Sequence, residues 1–441
     1  MINIAFLNQL AEARSQMEFS RIAIGFTALQ IYDSIKTHGF DPFVHQDALQ
    51  RIRSDIHAIE TETLLHDALQ SLIQAFPFWE SSGPIRIGRQ AVYTALLSYG
   101  QALGSDGEWE IANSVYSLVG MDTELDGETW LAAEARLLMG HAARMCADWE
   151  TSGIAYRRAY ELGMEAGGIA IALRARIGEA NNCWSRGDFP AAKRILANTA
   201  RRAKQSCPHV LPRVVLAMAG VENASGSYER AVHLAFGLLS QLPNDDDMKY
   251  KVLVDLAAFL TDYGLPSVAA DTLHIVEMTA PEARVRRHAR LNRFFLAAHH
   301  DDEATFMTLR LALASEPLTP RQQTQLALFT AQGYRRFSRF DAGQASAQRA
   351  VQLANQFELF QLAFEAEAEL EAINSARQES TIVAGAAGTQ TPKKGSAHDS
   401  SVRYRSTTGG KLSPRVQHAA ESLETMAREL ATAGIGMSTT L

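Results

Sequence analysis

His299-His300-Asp301-Asp302-Glu303 is the densest cluster of potential metal ligands in the chain. Metal coordination needs ligands that converge in space and are held there by a supporting layer of hydrogen bonds, which a contiguous loop run does not supply. The run reads as a polar turn between helices, and no metal is expected. Asp245-Asp246-Asp247 follows Pro243 without calcium-loop spacing after it, and reads the same way. The other concentration of chemistry is cationic: Arg284, Arg286, Arg287, His288, Arg290 and Arg293. On a helix, Arg286, Arg290 and Arg293 share one face that can meet an acidic surface or a phosphate. No aromatic side chains are interleaved for base stacking and Glu282 stands beside the run, so it reads first as a solvated helix face.

Catalytic signatures are missing from the chain. There is no phosphate-cradling glycine loop, no Gly-x-Ser-x-Gly elbow and no His-Glu-x-x-His helix. The paired carboxylates Glu108 and Glu110 fall on a turn, so catalysis would need a site assembled from dispersed residues. Neither an enzyme nor a cofactor is expected. Cys146, Cys183 and Cys207 are too scattered for a disulfide framework or a zinc site. Cys146 and Cys183 fall in helix interiors, where cysteine acts as a small buried hydrophobe.

The 441 residues carry a formal net charge of −7, which argues against wholesale nucleic-acid binding. Hydrophobic residues at 46% and charged residues at 21% are ordinary for a soluble globular chain. No uncharged apolar run approaches the roughly 18–20 residues that a membrane span needs. Met1 to Leu7 is apolar but lacks a basic flank and meets Glu12 too soon for a signal peptide. A cytoplasmic protein without membrane contact is expected.

These side chains have to be positioned by helices. Apolar residues recur at three- and four-residue spacing and only 13 prolines interrupt them. A helix–turn–helix pattern repeats seven times, anchored at Gly107, Ala147, Gly187, Gly226, Gly264, Asp301 and Ser338. Successive anchors lie 40, 40, 39, 38, 37 and 37 residues apart, a solenoid period. A small residue stands seven positions before most turns (Gly100, Gly140, Ala180, Ala219, Ala257) and another five after (Ala112, Ser152, Ala192, Ala231, Ala269). These let paired helices approach closely. An aromatic two residues after the turn (Trp109, Trp149, Phe189, Tyr228, Phe340) can plug the gap between units. The sixth unit, near Asp301, reads as degenerate, keeping neither the aromatic nor the small residues. With the arginine run beside it, 282–303 reads as a bend or specialised surface.

The chain here resembles the tetratricopeptide repeat family. The likeness is carried by Leu138-Met139-Gly140 through Ala147-Asp148-Trp149 to Tyr156 and Ala159, and by Gly187-Asp188-Phe189 through Ala192. Pro243 and Pro281 stand where that family often closes its second helix. The repeats exceed the family unit of about 34 residues, so longer helices or loops are implied. The resemblance implies an all-α, right-handed superhelical solenoid of antiparallel helix pairs, whose first helices line a concave groove. It places His141, Arg144, Arg174, Asn181, Trp184, Arg213, Asn223 and Lys251 on that groove. Cations and side-chain amides of this kind can hold an acidic or extended peptide. Ile177 and Leu216 occupy two positions where the family's chaperone-tail clamp has polar residues, so that partner is not implied.

Four regions follow: a helical cap over 1–84, the repeat array over 85–376, a disordered basic linker over 377–412 and an amphipathic helix over 413–434. In the cap, helices are expected over about 3–36, 44–57 and 60–76. The linker is rich in Gly, Ser, Thr, Ala and Gln and cannot bury enough surface to fold. Beyond it, Val416, Ala420, Leu423, Ala427 and Leu430 form a stripe behind a Ser413-Pro414 cap. That helix is expected to dock on the chain's own groove or on a partner. The function expected is non-catalytic peptide or protein binding by a scaffold. The alternative is the sensor arm of a repeat-containing transcription regulator, which would need a DNA-reading helix in residues 1–80. Those helices show no clear basic recognition helix.

Overall fold

All seven turn anchors adopt the left-handed backbone, with φ between 55° and 105°. In this computed structural model, residues 4–12, 16–56, 64–79, 85–243, 248–387, 413–423 and 425 are described, and they contain helices and no strand. Each anchor closes the first helix of a pair. At Ala147 the amide donates to the Arg144 carbonyl (3.1 Å) and the Asp148 amide donates to the Ala143 carbonyl (2.9 Å). This is the Schellman closure, which satisfies the last free carbonyls of the helix and turns the chain back on itself. The same pair of bonds recurs at all seven anchors. The sequence signal thus has a backbone cause.

Residues 1–179 and 180–441 form two compact units. The first begins with α1 (Ile4–Glu12), α2 (Gln16–His38), α3 (Pro42–Ile56) and α4 (Leu64–Ala75). Repeat pairs follow, α5 (Ile85–Asp106) with α6 (Trp109–Leu125) and α7 (Thr129–Met145) with α8 (Trp149–Glu165), and then α9 (Ile169–Ser185). The second unit continues with α10 (Phe189–Ser206) and the pairs α11 (Leu211–Ala224) with α12 (Tyr228–Leu239) and α13 (Met248–Tyr263) with α14 (Pro266–Thr279). After them come α15 (Ala283–His299) with α16 (Glu303–Ala314), α17 (Pro320–Arg336) with α18 (Phe340–Gln356), and α19 (Phe360–Ala387). A helix over 414–423, called α20, closes the described chain. Paired helices pack antiparallel across tight turns, the build of a tetratricopeptide-like repeat protein. The extra repeat length lies in the helices: α6, α7, α8 and α9 each hold 17 residues, and the turns stay short.

Close approach within a pair depends on the small residues. A Cβ at Gly140 would lie 2.7 Å from the Tyr156 ring, and one at Gly100 would lie 2.4 Å from Tyr116. Ser152 is fully buried and donates its hydroxyl to the Gly140 carbonyl at 2.7 Å. The aromatic residues two past five of the turns open the second helix of their pair. Asp148, Asp188 and Asp302 cap second helices, each accepting an amide three residues on.

The sixth pair is repacked rather than degenerate. Phe294 and Phe306 occupy the two positions that are small elsewhere, fully buried and stacked at 4.5 Å and 22°. The space they need comes from the next first helix, where a Cβ on Gly333 would lie 2.3 Å from Phe306. Small residues at fixed offsets within one pair carry no signal for volume moved to a neighbour.

The cap of the first unit is tied to the repeats by polar groups. Asp122, at 3% exposure, accepts the Tyr32 hydroxyl at 2.5 Å and pairs with Lys36. Arg89 donates twice to Asp126 at 3.1 Å and lies over Trp79. The helix expected over about 3–36 is described as two helices, the second ending at His38. The expected linker begins as helix, because α19 continues from 377 to Ala387. Residues 388–412, the Asp245-Asp246-Asp247 run and the stripe residues Ala427 and Leu430 lie outside the described residues.

Candidate functional site

First helices touch one another along the second unit: α11 meets α13, α13 meets α15, α15 meets α17 and α17 meets α19. No comparable contact joins α12 to α14 or α14 to α16. Within this unit the first helices are therefore the crowded, inner side of the array. Their outward spacing sets which side chains share that face: Arg213, Gly220 and Asn223 on α11, Lys251, Asp255 and Asp262 on α13, Arg284, His288 and Asn292 on α15, and Arg321 and Gln332 on α17.

The turn at 184–187 meets later helices of the same unit. The Arg321 guanidinium lies 5.1 Å from the centre of the Trp184 ring. Arg186 pairs with Glu358 at 3.0 Å and lies 5.9 Å from the Phe360 ring centre. On its other side Trp184 approaches α11, where a Cβ on Gly220 would lie 3.8 Å from the indole. These contacts bound the inner face at one end.

Three side-chain amides on this face each hold a buried polar atom with no partner among the described residues: Oδ1 of Asn223, Nδ2 of Asn292 and Oε1 of Gln332. The Asn223 amide donates to Asp262 at 2.6 Å, so only its carbonyl side is unengaged. An unpaired buried polar atom costs about 1–3 kcal/mol. A ligand that pairs with it recovers that cost.

The ionisable groups here have unusual proton affinities. Burial alone pushes the Asp255 carboxyl up to about 7. Burial, reinforced by the positive charges of Arg284 and Arg321, pushes the His288 imidazole down to about 4. Burial also raises the Glu365 carboxyl on α19, against the pull of Gln361 and Arg321. At neutral pH the face thus carries a neutral imidazole and a carboxyl that holds its proton part of the time. Both can donate and accept hydrogen bonds.

The residues expected on the groove fall in both units. In the first unit Arg144 is 2.9 Å from His141, whose ring stands edge-on to Trp109 at 5.2 Å. Arg174 pairs with Glu134 at 3.0 Å. In the second unit Asn181, Trp184, Arg213, Asn223 and Lys251 lie on first helices, with Lys251 paired to Glu282 at 2.6 Å. Asp255, His288, Asn292, Arg321 and Gln332 were not singled out for this face. The available signal for three of them was a spacing of four, Asp255 from Lys251, His288 from Arg284 and Asn292 from His288.

The arginine run is engaged within the chain. Arg290 pairs with Glu277 at 2.7 Å and with Glu316, Arg293 pairs with Glu277, and buried Arg287 pairs with Glu316 at 2.8 Å. Arg286 donates to the carbonyls of Ala280 (2.7 Å) and Pro281 (2.6 Å). Among the described residues no group of three or more His, Cys, Asp or Glu is placed to hold a metal. No helix among them is long and apolar enough to cross a membrane.

No family model and no curated protein matches the chain. Among solved structures, a Rap protein complexed with Competence and Sporulation Factor is similar over 81% of this chain and 99% of its own, at 12% identity and a TM-score of 0.45. The Rap conjugation gene regulator of plasmid pLS20, in complex with the Phr* peptide, is similar over 84% and 99%, at 14% identity and a TM-score of 0.42.

Proposed function

We propose that the chain is a non-catalytic peptide-binding protein that holds an extended peptide on the first-helix face of its second unit. The observation that carries this reading is the set of unpartnered buried amide atoms on Asn223, Asn292 and Gln332. A peptide backbone offers one donor and one acceptor per residue, which matches acceptors and a donor spread over α11, α15 and α17. Trp184, Asn181, Arg213 and Lys251 border the same face and serve as its anchors and charges. His141, Arg144 and Arg174 belong to the first unit and are proposed as a separate peptide-contacting set. The protein acts in the cytoplasm.

The end closure through Trp184, Arg321, Arg186 and Glu358 favours a short peptide over a long protein segment. That supports the second reading, in which the array senses a peptide signal and passes it on.

The test is affinity selection of short synthetic peptides by the intact chain, followed by titration calorimetry. Selected peptides are expected to lose about 5- to 150-fold in affinity with Asn223→Ala or Asn292→Ala, as recovery of about 1–3 kcal/mol requires. Selection of no peptide, or affinities unmoved by both substitutions, would overturn the proposal.

A further inference from the structure

Peptide binding on the first-helix face gives no role to α20. Its stripe at Val416, Ala419, Ala420 and Leu423 is at most 8% exposed, while Arg415, Gln417, His418 and Glu421 face outward. Val416, Ala419 and Leu423 join a core built from α11 to α15, and the His418 ring stands edge-on to Phe236 at 5.4 Å and 83°. Phe236 belongs to α12, a second helix. It lies on the same side as Glu229, His233 and Ser240, away from the buried Ala231, Ala235 and Leu238. The tail has docked on the second-helix side.

The repeat register shows that the solenoid itself does not need this cover. Phe236 stands ten residues after its turn. At the same position the other second helices carry a half-buried Ser117 and the exposed Arg157, Ala197, His274, Leu311 and Gln348. Leu311, at 63% exposure, shows that even an apolar residue there is left to solvent. Among the described residues, only the fourth pair places an aromatic ring at this point and has a helix laid over it.

We propose that the α12 face around Phe236 is a helix-docking site, and that α20 is its tethered resident, displaced by a partner's amphipathic helix bearing the same Val/Ala/Ala/Leu stripe. A helix laying i, i+3, i+4 and i+7 anchors on a partner surface is an established recognition mode. The 25 residues 388–412 link the tail to α19. A tether of that length keeps the tail at an effective concentration of up to about a millimolar. A free partner helix of equal intrinsic affinity therefore binds weakly until the tail is released. The device sets a threshold for association.

The experiment uses the full chain and a labelled synthetic peptide of residues 413–434. The wild-type chain should bind the peptide weakly. A chain carrying Val416→Asp and Leu423→Asp, which undocks its own tail, should bind it about 100-fold more tightly and show faster hydrogen exchange in α12. Equal peptide affinity in the two chains overturns the proposal. A second measurement leaves the seat untouched: a protease site inserted within 388–412 is cut, and the nicked chain is diluted. Release of the tail fragment at micromolar concentration, with rebinding of added peptide, supports a displaceable resident. Retention at nanomolar concentration makes α20 a permanent part of the core and overturns the proposal. Neither readout involves the first-helix face, so the result is independent of the peptide-binding proposal.

Discussion

Two enclosed carboxylates, one in each unit, show how the same residue type serves opposite ends. Asp122 in the first unit is surrounded by partners: the Tyr32 hydroxyl, the Lys36 ammonium and the nearby Tyr93. Nearby Asp126 and Glu124 are likewise held by Arg89, Arg136 and Arg158. Asp255 in the second unit has no such company, and burial alone raises its proton affinity. Partnered charges hold a scaffold together, whereas an enclosed group without compensation waits for something to bind. The carboxylates around Asp122 are of the former kind, and Asp255 on the first-helix face of the second unit is of the latter.

The largest test of this contrast is Asp122→Ala. It leaves the buried Tyr32 hydroxyl and the Lys36 ammonium without their acceptor and should cost about 3 kcal/mol, read from chemical denaturation. Asp255→Asn should act with the opposite sign. The displacement of its carboxyl from 3.8 to about 7 corresponds to ~4 kcal/mol. Water contact at the side chain reduces this to ~2 kcal/mol, so the variant should be the more stable chain at pH 8. A loss of stability there would remove the distinction between the two sites.

The pH dependence sharpens the comparison further. Asp255 binds its proton more tightly when folded, so its contribution is complete below about pH 4 and is lost as pH rises to about 7. His288 and His299 are held near 4 by burial and neighbouring arginines. Their contribution is complete above about 6.5 and is lost as pH falls to about 4. The two effects oppose one another in the same window. Asp255→Asn should therefore steepen the loss of stability on acidification from pH 6.5 to 4, and His288→Gln should flatten it, as measured by thermal unfolding across that range. The smallest effect expected is from Asn223→Ala, within about 1 kcal/mol of the wild-type stability, because removing the unpartnered buried acceptor offsets the loss of the bond to Asp262.

The architecture was largely legible in the sequence because each pair repeats a local requirement. A left-handed residue closes the first helix, small residues at −7 and +5 admit the partner helix, and an aromatic opens the second. Where volume is exchanged between units, as in Phe294 and Phe306 against Gly333, fixed offsets fail. The site was only partly legible. Asn223, Trp184 and Lys251 could be placed through the resemblance, yet Asp255 and His288 look like any solvated helix residue until tertiary enclosure removes their water. The arginine run looked exposed because its partners come from elsewhere, Glu277 from α14 and Glu316 from the turn after α16. The tail's stripe could be read, but its seat on Phe236 depended on contacts distant in the chain.

The most direct measurement is hydrogen exchange of the intact chain with and without a selected peptide. Binding on the first-helix face should slow exchange in α11, α13 and α15 and leave α12 and α14 unchanged. Protection confined to the second helices or to residues 1–179 would contradict it.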